Sequence, residues 1–325
     1  MSARHATQMR LPGVGADGQA RLADARVLVV GAGGLGCALL PLLAGAGVGV
    51  LSVIDPDVVE LGNLHRQTLY RMGDIGRPKV EAAAAALAAL NPEVRIETLH
   101  RPLTPAAAPA LVAAADVVVD AADQFAVSYL LSDACLAARR PLVSASAVGM
   151  AGYAGVFCGD VPSYRAVFPQ WPATAGDCAS AGVLGPVVAM IGALQAQLVL
   201  ALLLDLPSPP RGRLFRWDGR DFASFDFRDA PEPQTAWPLL DPVQLAADDV
   251  VVDLRGLDEA PQSPVPRALR ATNETLPALW PQLAAAPRVV LACRSGLRAA
   301  RAAAWLQSQG CTRLALIAFS ASHAG

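Results

Sequence analysis

The stretch Val27-Leu-Val-Val-Gly31-Ala-Gly33-Gly34-Leu-Gly36 decides the fold. Four apolar residues empty directly into a glycine turn, and Gly34 to Gly47 continues as an apolar, helix-length run. A strand that ends in glycines at the start of a helix lets backbone N–H groups and the helix dipole approach a phosphate, because no Cβ stands in the way. Gly31, Gly33, Gly34 and Gly36 are therefore the candidate phosphate cradle. A second apolar strand, Val48 to Asp55, closes on an acid nineteen positions after Gly36, placed to accept hydrogen bonds from ribose hydroxyls. The pattern says nucleotide, and a dehydrogenase would carry it too.

Outward from this unit, strands and helices alternate. Residues 1 to 25 predict a short arm and a helix. Pro56 to Pro78 is a polar connection of the length that usually carries function. Lys79 to Leu90 is an alanine-rich helix, with Pro78 at its first turn and Asn91-Pro92 ending it. Val94 to Leu99, Val117 to Asp120 and Leu142 to Ala145 are strands, with helices at Pro105 to Ala114 and Gln124 to Ala138 between them. This alternation predicts an α/β fold with a mostly parallel sheet covered on both faces. Ala151 to Cys158, Leu214 to Asp218 and Ala223 to Phe227 follow as further short segments, and a proline-rich passage, Asp229 to Pro238, predicts a linker. A smaller α/β pattern then restarts, with strands at Val250 to Leu254, Arg288 to Ala292 and Leu314 to Ile317, and helices at Leu276 to Ala285 and Ala299 to Gln309. The expected division is 1–228, a linker at 229–241, and 242–325.

Composition agrees with two units, since 325 residues exceed the usual single-domain range. A net charge of −2 without a basic run argues against nucleic acid or an anionic membrane surface as partner. The six cysteines form no C-x-x-C pair, and the start, MSARHATQMR, lacks an apolar signal core. These features predict a cytoplasmic protein with reduced thiols. Val183 to Leu204 is uncharged and long enough to span a bilayer. Gly185, Pro186, Gly192, Gln195 and Gln197 interrupt it, which favours a buried core or subunit-interface helix over a membrane span.

Three charged residues bear on what the nucleotide is for. Nucleotidyl transfer needs positive charge on the leaving pyrophosphate and a metal to shield its oxygens. Arg66 and Lys79 are candidates for the first role and Asp123 for the second, whereas hydride transfer has no use for this set. The plainer alternatives are a solvated surface for Arg66 and Lys79 and a helix N-cap for Asp123. In the smaller unit, Cys293-Arg-Ser-Gly-Leu-Arg298 places a cysteine at a strand end before a tight loop that opens a helix. Backbone N–H groups and two guanidinium groups around such a sulfur favour the thiolate and nucleophilic or sulfur-carrying chemistry. The alternative is a buried, inert thiol.

Taken in order, the glycine turn, Asp55, Asn63-Leu-His-Arg66-Gln67, Gly76-Arg-Pro-Lys79, Asp120-x-x-Asp123, Pro141-Leu-Val-Ser-Ala145 and Cys178-Ala-Ser-Ala-Gly182-Val-Leu-Gly185 resemble the MoeB/ThiF family of ubiquitin-activating-like adenylyltransferases. The resemblance covers roughly 17–228. The tail around Cys293 to Arg298 resembles a rhodanese active loop, over roughly 242–320. The resemblance implies a Rossmann-like, ubiquitin-activating-type domain plus a small rhodanese-like α/β domain. It implies ATP over Gly34, Asp55 on the ribose, Asn63, Arg66 and Lys79 on the phosphates, Gln124 beside them, and Asp123 on Mg2+. The second substrate would be the C-terminal glycine carboxylate of a ubiquitin-like sulfur carrier of the ThiS or MoaD type, in thiamine or molybdopterin cofactor biosynthesis. Cys178 would take the acyl group or join a disulfide, and Cys293 would bring sulfur as a persulfide, loaded by a donor such as a cysteine desulfurase. A homodimer is implied as well.

Several positions depart from the family pattern. Ser163-Tyr-Arg-Ala166 stands where a first zinc-binding C-x-x-C pair is usual, so no structural zinc is expected. Thr7 stands where an N-terminal arm usually carries arginine, Gln124 replaces an asparagine and Gly62 a serine. Two other readings stay open: an NAD-binding oxidoreductase, and a decayed enzyme that still docks a carrier.

Overall fold

A computed structural model describes residues 3–172, 182–206 and 209–319. The strand that leads into the glycine turn, β1 (Arg26–Val30), lies inside an eight-stranded sheet. Beside it run β2 (Val50–Ile54) and β3 (Arg95–Leu99) on one side. On the other run β4 (Val117–Asp120), β5 (Pro141–Val148), β6 (Ala151–Cys158), β7 (Arg213–Trp217) and β8 (Phe222–Asp226), giving the order β3-β2-β1-β4-β5-β6-β7-β8. Pairings from β3 to β5 are parallel, as expected, and those from β5 to β8 are antiparallel.

Successive side chains of a strand point to opposite faces, and β1 follows that rule. Val27 and Val29 join one apolar cluster while Leu28 and Val30 join the other. The first face is covered by α2 (Gly34–Ala46), α3 (Lys79–Leu90) and the uncharged run, which forms α7 (Gly185–Leu203). The second is covered by α4 (Ala108–Ala113), α5 (Phe125–Ala138) and the short α6 (Tyr164–Val167). A further helix, α1 (Gly15–Asp24), precedes β1.

The apolar run is a core helix along one side, burying Val187, Val188, Ile191, Leu198, Val199 and Leu202. Its backbone nearly touches α2: a Cβ at Gly192 would lie 2.7 Å from the Ala38 Cβ and 2.9 Å from the Leu35 carbonyl oxygen. Gln195, fully buried, donates from Nε2 to the carbonyls of Asp120 at 2.7 Å and Val143 at 3.0 Å. That amide ties α7 to the ends of β4 and β5, close to the nucleotide turn.

A second, all-parallel sheet has the order β10-β9-β11-β12, from β9 (Val250–Asp253), β10 (Leu269–Arg270), β11 (Val289–Cys293) and β12 (Leu314–Ala318). It carries α8 (Trp280–Leu283) and α9 (Leu297–Ser308). The helix expected over 276–285 is instead a 3-10 turn, Leu276–Leu279, followed by the single turn of α8. Pro277 and Pro281 each lack an N–H, which breaks a continuous ladder.

The proline-rich passage is exposed over most of its length but anchored at several points. Ser163, the N-cap of α6, gives its N–H and hydroxyl to the two Glu232 carboxylate oxygens, each at 2.6 Å. Residues 238–240 run beside β12, with Leu316 N–H on the Pro238 carbonyl at 2.9 Å and Leu240 N–H on the Leu316 carbonyl at 2.8 Å. One apolar cluster continues from α5 and Phe157 through Phe227 and Leu239 to Leu291 and Leu306, so the two sheets share a core.

Valine at position 192 would force α2 and α7 apart. Gly192→Val is expected to lower the unfolding free energy in urea by about 1–3 kcal/mol. An unchanged midpoint would mean that the two helices do not meet there.

Candidate active site

The glycine turn is fixed from several sides before any ligand arrives. Gly31 has φ 104°, and a Cβ there would stand 2.5 Å from the Ala121 carbonyl oxygen. Ala32 donates its N–H to Asp55 Oδ2 at 2.7 Å and accepts the Tyr70 hydroxyl on its carbonyl at 2.6 Å. The other Asp55 oxygen accepts the Asp57 N–H at 2.8 Å. Gly34, the first residue of α2, lies where a Cβ would be 2.6 Å from Val188 Cγ1 and 3.6 Å from Arg66 Cγ. A Cβ at Gly36 would press on the Gly31 carbonyl oxygen. The glycines thus serve close packing, and they leave the N–H groups that open α2 without intrahelical acceptors.

A cavity of about 620 Å³ opens over this turn. Its wall contains Gly31, Gly33, Gly34, Asp55, Asn63, Arg66, Lys79, Asp123 and Gln124, the residues singled out from the sequence. Gly36 is not in the wall, because it is the third residue of α2 and lies against Gly31. Arg66 is held by its own turn, with Nη2 donating to Asn63 Oδ1 at 3.1 Å. Lys79 begins α3, is only 5% exposed, and donates from Nζ to Asp57 Oδ2 at 2.8 Å. Burial alone would lower the Lys79 pKa, but Asp55, Asp57 and Asp123 together hold it above its ordinary value. The ammonium is therefore a fixed positive charge in the wall. Asp123 is exposed, and the N-cap position of α5 falls to Gln124, so capping does not explain Asp123.

Behind the wall lies a second buried carboxyl. Asp120 has no exposed surface and accepts the Ser144 hydroxyl at 2.8 Å and the Ala122 N–H at 3.3 Å, which shapes the loop carrying Asp123. Burial pushes its pKa up to about 6. Burial also raises the Asp55 pKa, with Lys79 working against that shift.

Asp57 and Tyr70 escaped the sequence argument, and Gln67 was quoted in the Asn63 to Gln67 motif without a role. Asp57 stood in plain view two positions after Asp55, and Tyr70 was a buried-type residue inside a polar connection. Gln67 is 3% exposed and lines the cavity beside Gly33, yet its Oε1 has no hydrogen-bond partner among the described residues.

The arm places Thr7 away from this cavity. Arg4 donates to the Leu90 carbonyl at 2.8 Å and Gln8 to the Ala46 carbonyl at 2.9 Å, at the end of α2 opposite the glycine turn. Cys293 is not in the cavity wall. Its sulfur accepts N–H groups from Gly296 at 3.1 Å and Ala299 at 3.4 Å, as the loop pattern suggested, but it has no exposed surface. Arg298 reaches the Leu254 carbonyl and Glu259, while Arg294 is exposed. Cys178 lies outside the described residues. Among the described residues no group of three or more His, Cys, Asp or Glu side chains is gathered as a metal ion would need. Where the family pattern usually has its first C-x-x-C, Arg165 pairs with Asp133 at 2.6 and 2.9 Å and covers the Tyr129 ring at 4.6 Å.

Residues 5–238, which include the glycine turn, Asp55, Arg66, Lys79 and Asp123, are matched by the model of the ThiF family. The chain belongs to the ThiF family. It is 41% identical over 233 residues to the SAMP-activating enzyme E1 of Haloferax volcanii, covering 70% of this chain and 86% of that protein. With the molybdopterin-synthase adenylyltransferase of Escherichia coli K12 it shares 42% identity over 217 residues, 66% of this chain and 87% of that one. With the adenylyltransferase and sulfurtransferase MOCS3 of Anopheles gambiae it shares 43% over 236 residues, 72% of this chain but 54% of that protein. The chain thus spans about half the length of the MOCS3 relatives it matches. The E. coli MccB structure with AMPCPP and MccA has the same fold, with TM-score 0.60 at 22% identity, covering 71% and 72% of the two chains. The ThiF-family fold expected from the sequence is the one observed.

The Asp120 carboxyl offers a direct check of the buried network. Its folded-state pKa is about 6 against an ordinary 3.8, so the folded chain binds this proton more tightly than the unfolded chain does. The resulting stabilisation is complete below about pH 4 and is lost as pH rises through about 6. Relative to Asp120→Asn, the parent's unfolding free energy is expected to fall by roughly 1–3 kcal/mol between pH 4 and pH 7. A difference that stays flat across this range would contradict the burial argument.

Proposed function

We propose that the protein adenylates the C-terminal glycine of a ubiquitin-like sulfur carrier of the ThiS or MoaD type at the expense of ATP. One observation carries the reading: Arg66, Lys79 and Asp123 share a cavity wall with the glycine turn. The names of the E. coli and Haloferax relatives support the same chemistry.

In this mechanism the N–H groups opening α2 and the Lys79 ammonium hold the triphosphate, and Asp55 faces the ribose. The carrier carboxylate attacks the α-phosphorus, the bond to the bridging oxygen breaks, and pyrophosphate leaves with its charge against Arg66 and Lys79. Charges fixed where negative charge develops favour the transition state without reorganisation. Asp123, together with phosphate oxygens, fits a magnesium ion, which neutralises phosphate charge when bound. A fully ionised Lys79 and a metal-type carboxylate across the nucleotide are of no use to hydride transfer, which sets the oxidoreductase reading aside.

The C-terminal unit acts as the rhodanese-like partner. Cys293 carries sulfur as a persulfide, loaded by a donor such as a cysteine desulfurase; its outer sulfur attacks the acyl carbon and AMP leaves, and a thiol that attacks the resulting acyl disulfide frees the thiocarboxylate and leaves Cys293 in a disulfide. Cys178 takes the acyl group or a disulfide during turnover, and the exposed uncharged side of α7 is the face of a homodimer.

ATP/pyrophosphate exchange that depends on a carrier ending in Gly-Gly tests the reading. The parent should exchange, and Lys79→Ala should lose about 10²–10³-fold of the rate while still folding. Exchange that is equally fast without carrier, or absent with every ThiS- and MoaD-type carrier, would overturn it.

A further inference from the structure

The nucleotide cavity has an outer wall that the family match does not reach. Leu239 to Pro242 and Ile317 to Phe319, at the end of β12, line the same cavity as Gly33, Gly34, Asp55 and Lys79. Phe319 is 3% exposed, and its ring lies 4.2 Å from the Arg255 guanidinium, itself paired with buried Asp253. The Phe319 N–H donates to the Cys293 carbonyl at 2.9 Å. On the other side of the Cys293 loop, a Cβ at Gly296 would lie 2.8 Å from the Trp171 ring and 3.5 Å from the Ala126 Cβ, and Ala126 lines the cavity too. The loop that cradles the buried thiol is thus pressed against the first unit at Gly296. One of its backbone partners, Phe319, forms part of the nucleotide chamber.

We propose that the nucleotide site is composite: ATP is held in part by Leu240 and Phe319, so nucleotide occupancy and docking of the C-terminal unit are linked. The inference rests on the ATP reading above. Each apolar contact between nucleotide and wall exists only in the docked arrangement, so ATP binds that arrangement more tightly. A ligand that prefers one arrangement shifts the population toward it, and the coupling is reciprocal. The docked arrangement also hides Cys293 completely, so modification or sulfur loading of that thiol proceeds from the undocked one. Bound ATP therefore keeps Cys293 closed to external sulfur donors until the nucleotide is consumed.

The test follows iodoacetamide labelling of Cys293 in the full chain by peptide mass mapping, with and without saturating ATP and magnesium, using Cys311 as an internal reference. ATP affinity is measured in parallel by equilibrium dialysis, without any carrier. ATP is expected to slow Cys293 labelling at least about threefold. Leu240→Ala and Phe319→Ala are expected to weaken ATP binding about three- to tenfold and to reduce the protection by a similar factor. Leu240 is only half-buried, so its variant guards against a folding defect at Phe319. If the parent binds ATP but Cys293 labels as fast or faster with it, or if both variants bind ATP as tightly as the parent, the composite site is wrong and the adenylation reading stands. A parent that binds no ATP removes both.

Discussion

A single buried carboxylate organises the nucleotide end of the molecule. Asp55 accepts the Ala32 N–H with one oxygen and the Asp57 N–H with the other, locking the end of β2 to the glycine turn after β1. Burial makes its charge costly, which the raised pKa records. An ion in such a place persists only if countercharge and hydrogen bonds offset desolvation. The Lys79 ammonium supplies the countercharge, and Asp57 fixes Lys79 in turn. The start of α3, the turn after β2 and the glycine cradle are therefore one electrostatic unit. A cationic wall facing a phosphate site follows from that arrangement rather than being added to it.

The same economy appears where this chain departs from the pattern of its relatives. Where the family usually has a metal-binding pair, Ser163 is stapled to Glu232, and Arg165 to Asp133 over the Tyr129 ring. Both staples hold the region where the first unit passes into residues 229–241. Arg165 lies deep in this junction, 6% exposed, so its pair with Asp133 sits in a less screened environment than a surface ion pair. The docked passage then brings Leu239 and Leu240 against β12, and through them the second sheet against the mouth of the cavity.

Much of this was legible in the sequence. The apolar run Val27 to Val30, the glycine turn and Asp55 pointed to the first βαβ unit, and Arg66, Lys79 and Asp123, expected at one nucleotide site for their charge, line one wall. What escaped had physical reasons. Asp120 was read only as a strand end, and its burial makes it an inner support for the Asp123 loop. Tyr70 works through a hydroxyl that reaches a backbone carbonyl, and no side-chain pattern advertises such a bond. The docking of the proline-rich passage depends on long-range partners such as Glu232 with Ser163, to which local composition is blind. Cys293 showed its N–H cradle in the loop pattern, and the burial weighed there as the alternative is complete; what local sequence could not show is that the loop meets Trp171 of the other unit at Gly296.

The central claim is that the bound nucleotide is attacked at its α-phosphorus by a carboxylate and consumed. Oxygen tracing tests this most directly: a carrier labelled with ¹⁸O in its C-terminal carboxylate is incubated with the protein, ATP and magnesium, and the acyl group is then released with hydroxylamine. Attack of hydroxylamine at the acyl carbon leaves the bridging oxygen with phosphorus, so the account expects AMP carrying one labelled oxygen from the carrier. AMP that appears without label, or ATP recovered intact while the carrier is unchanged, would contradict it.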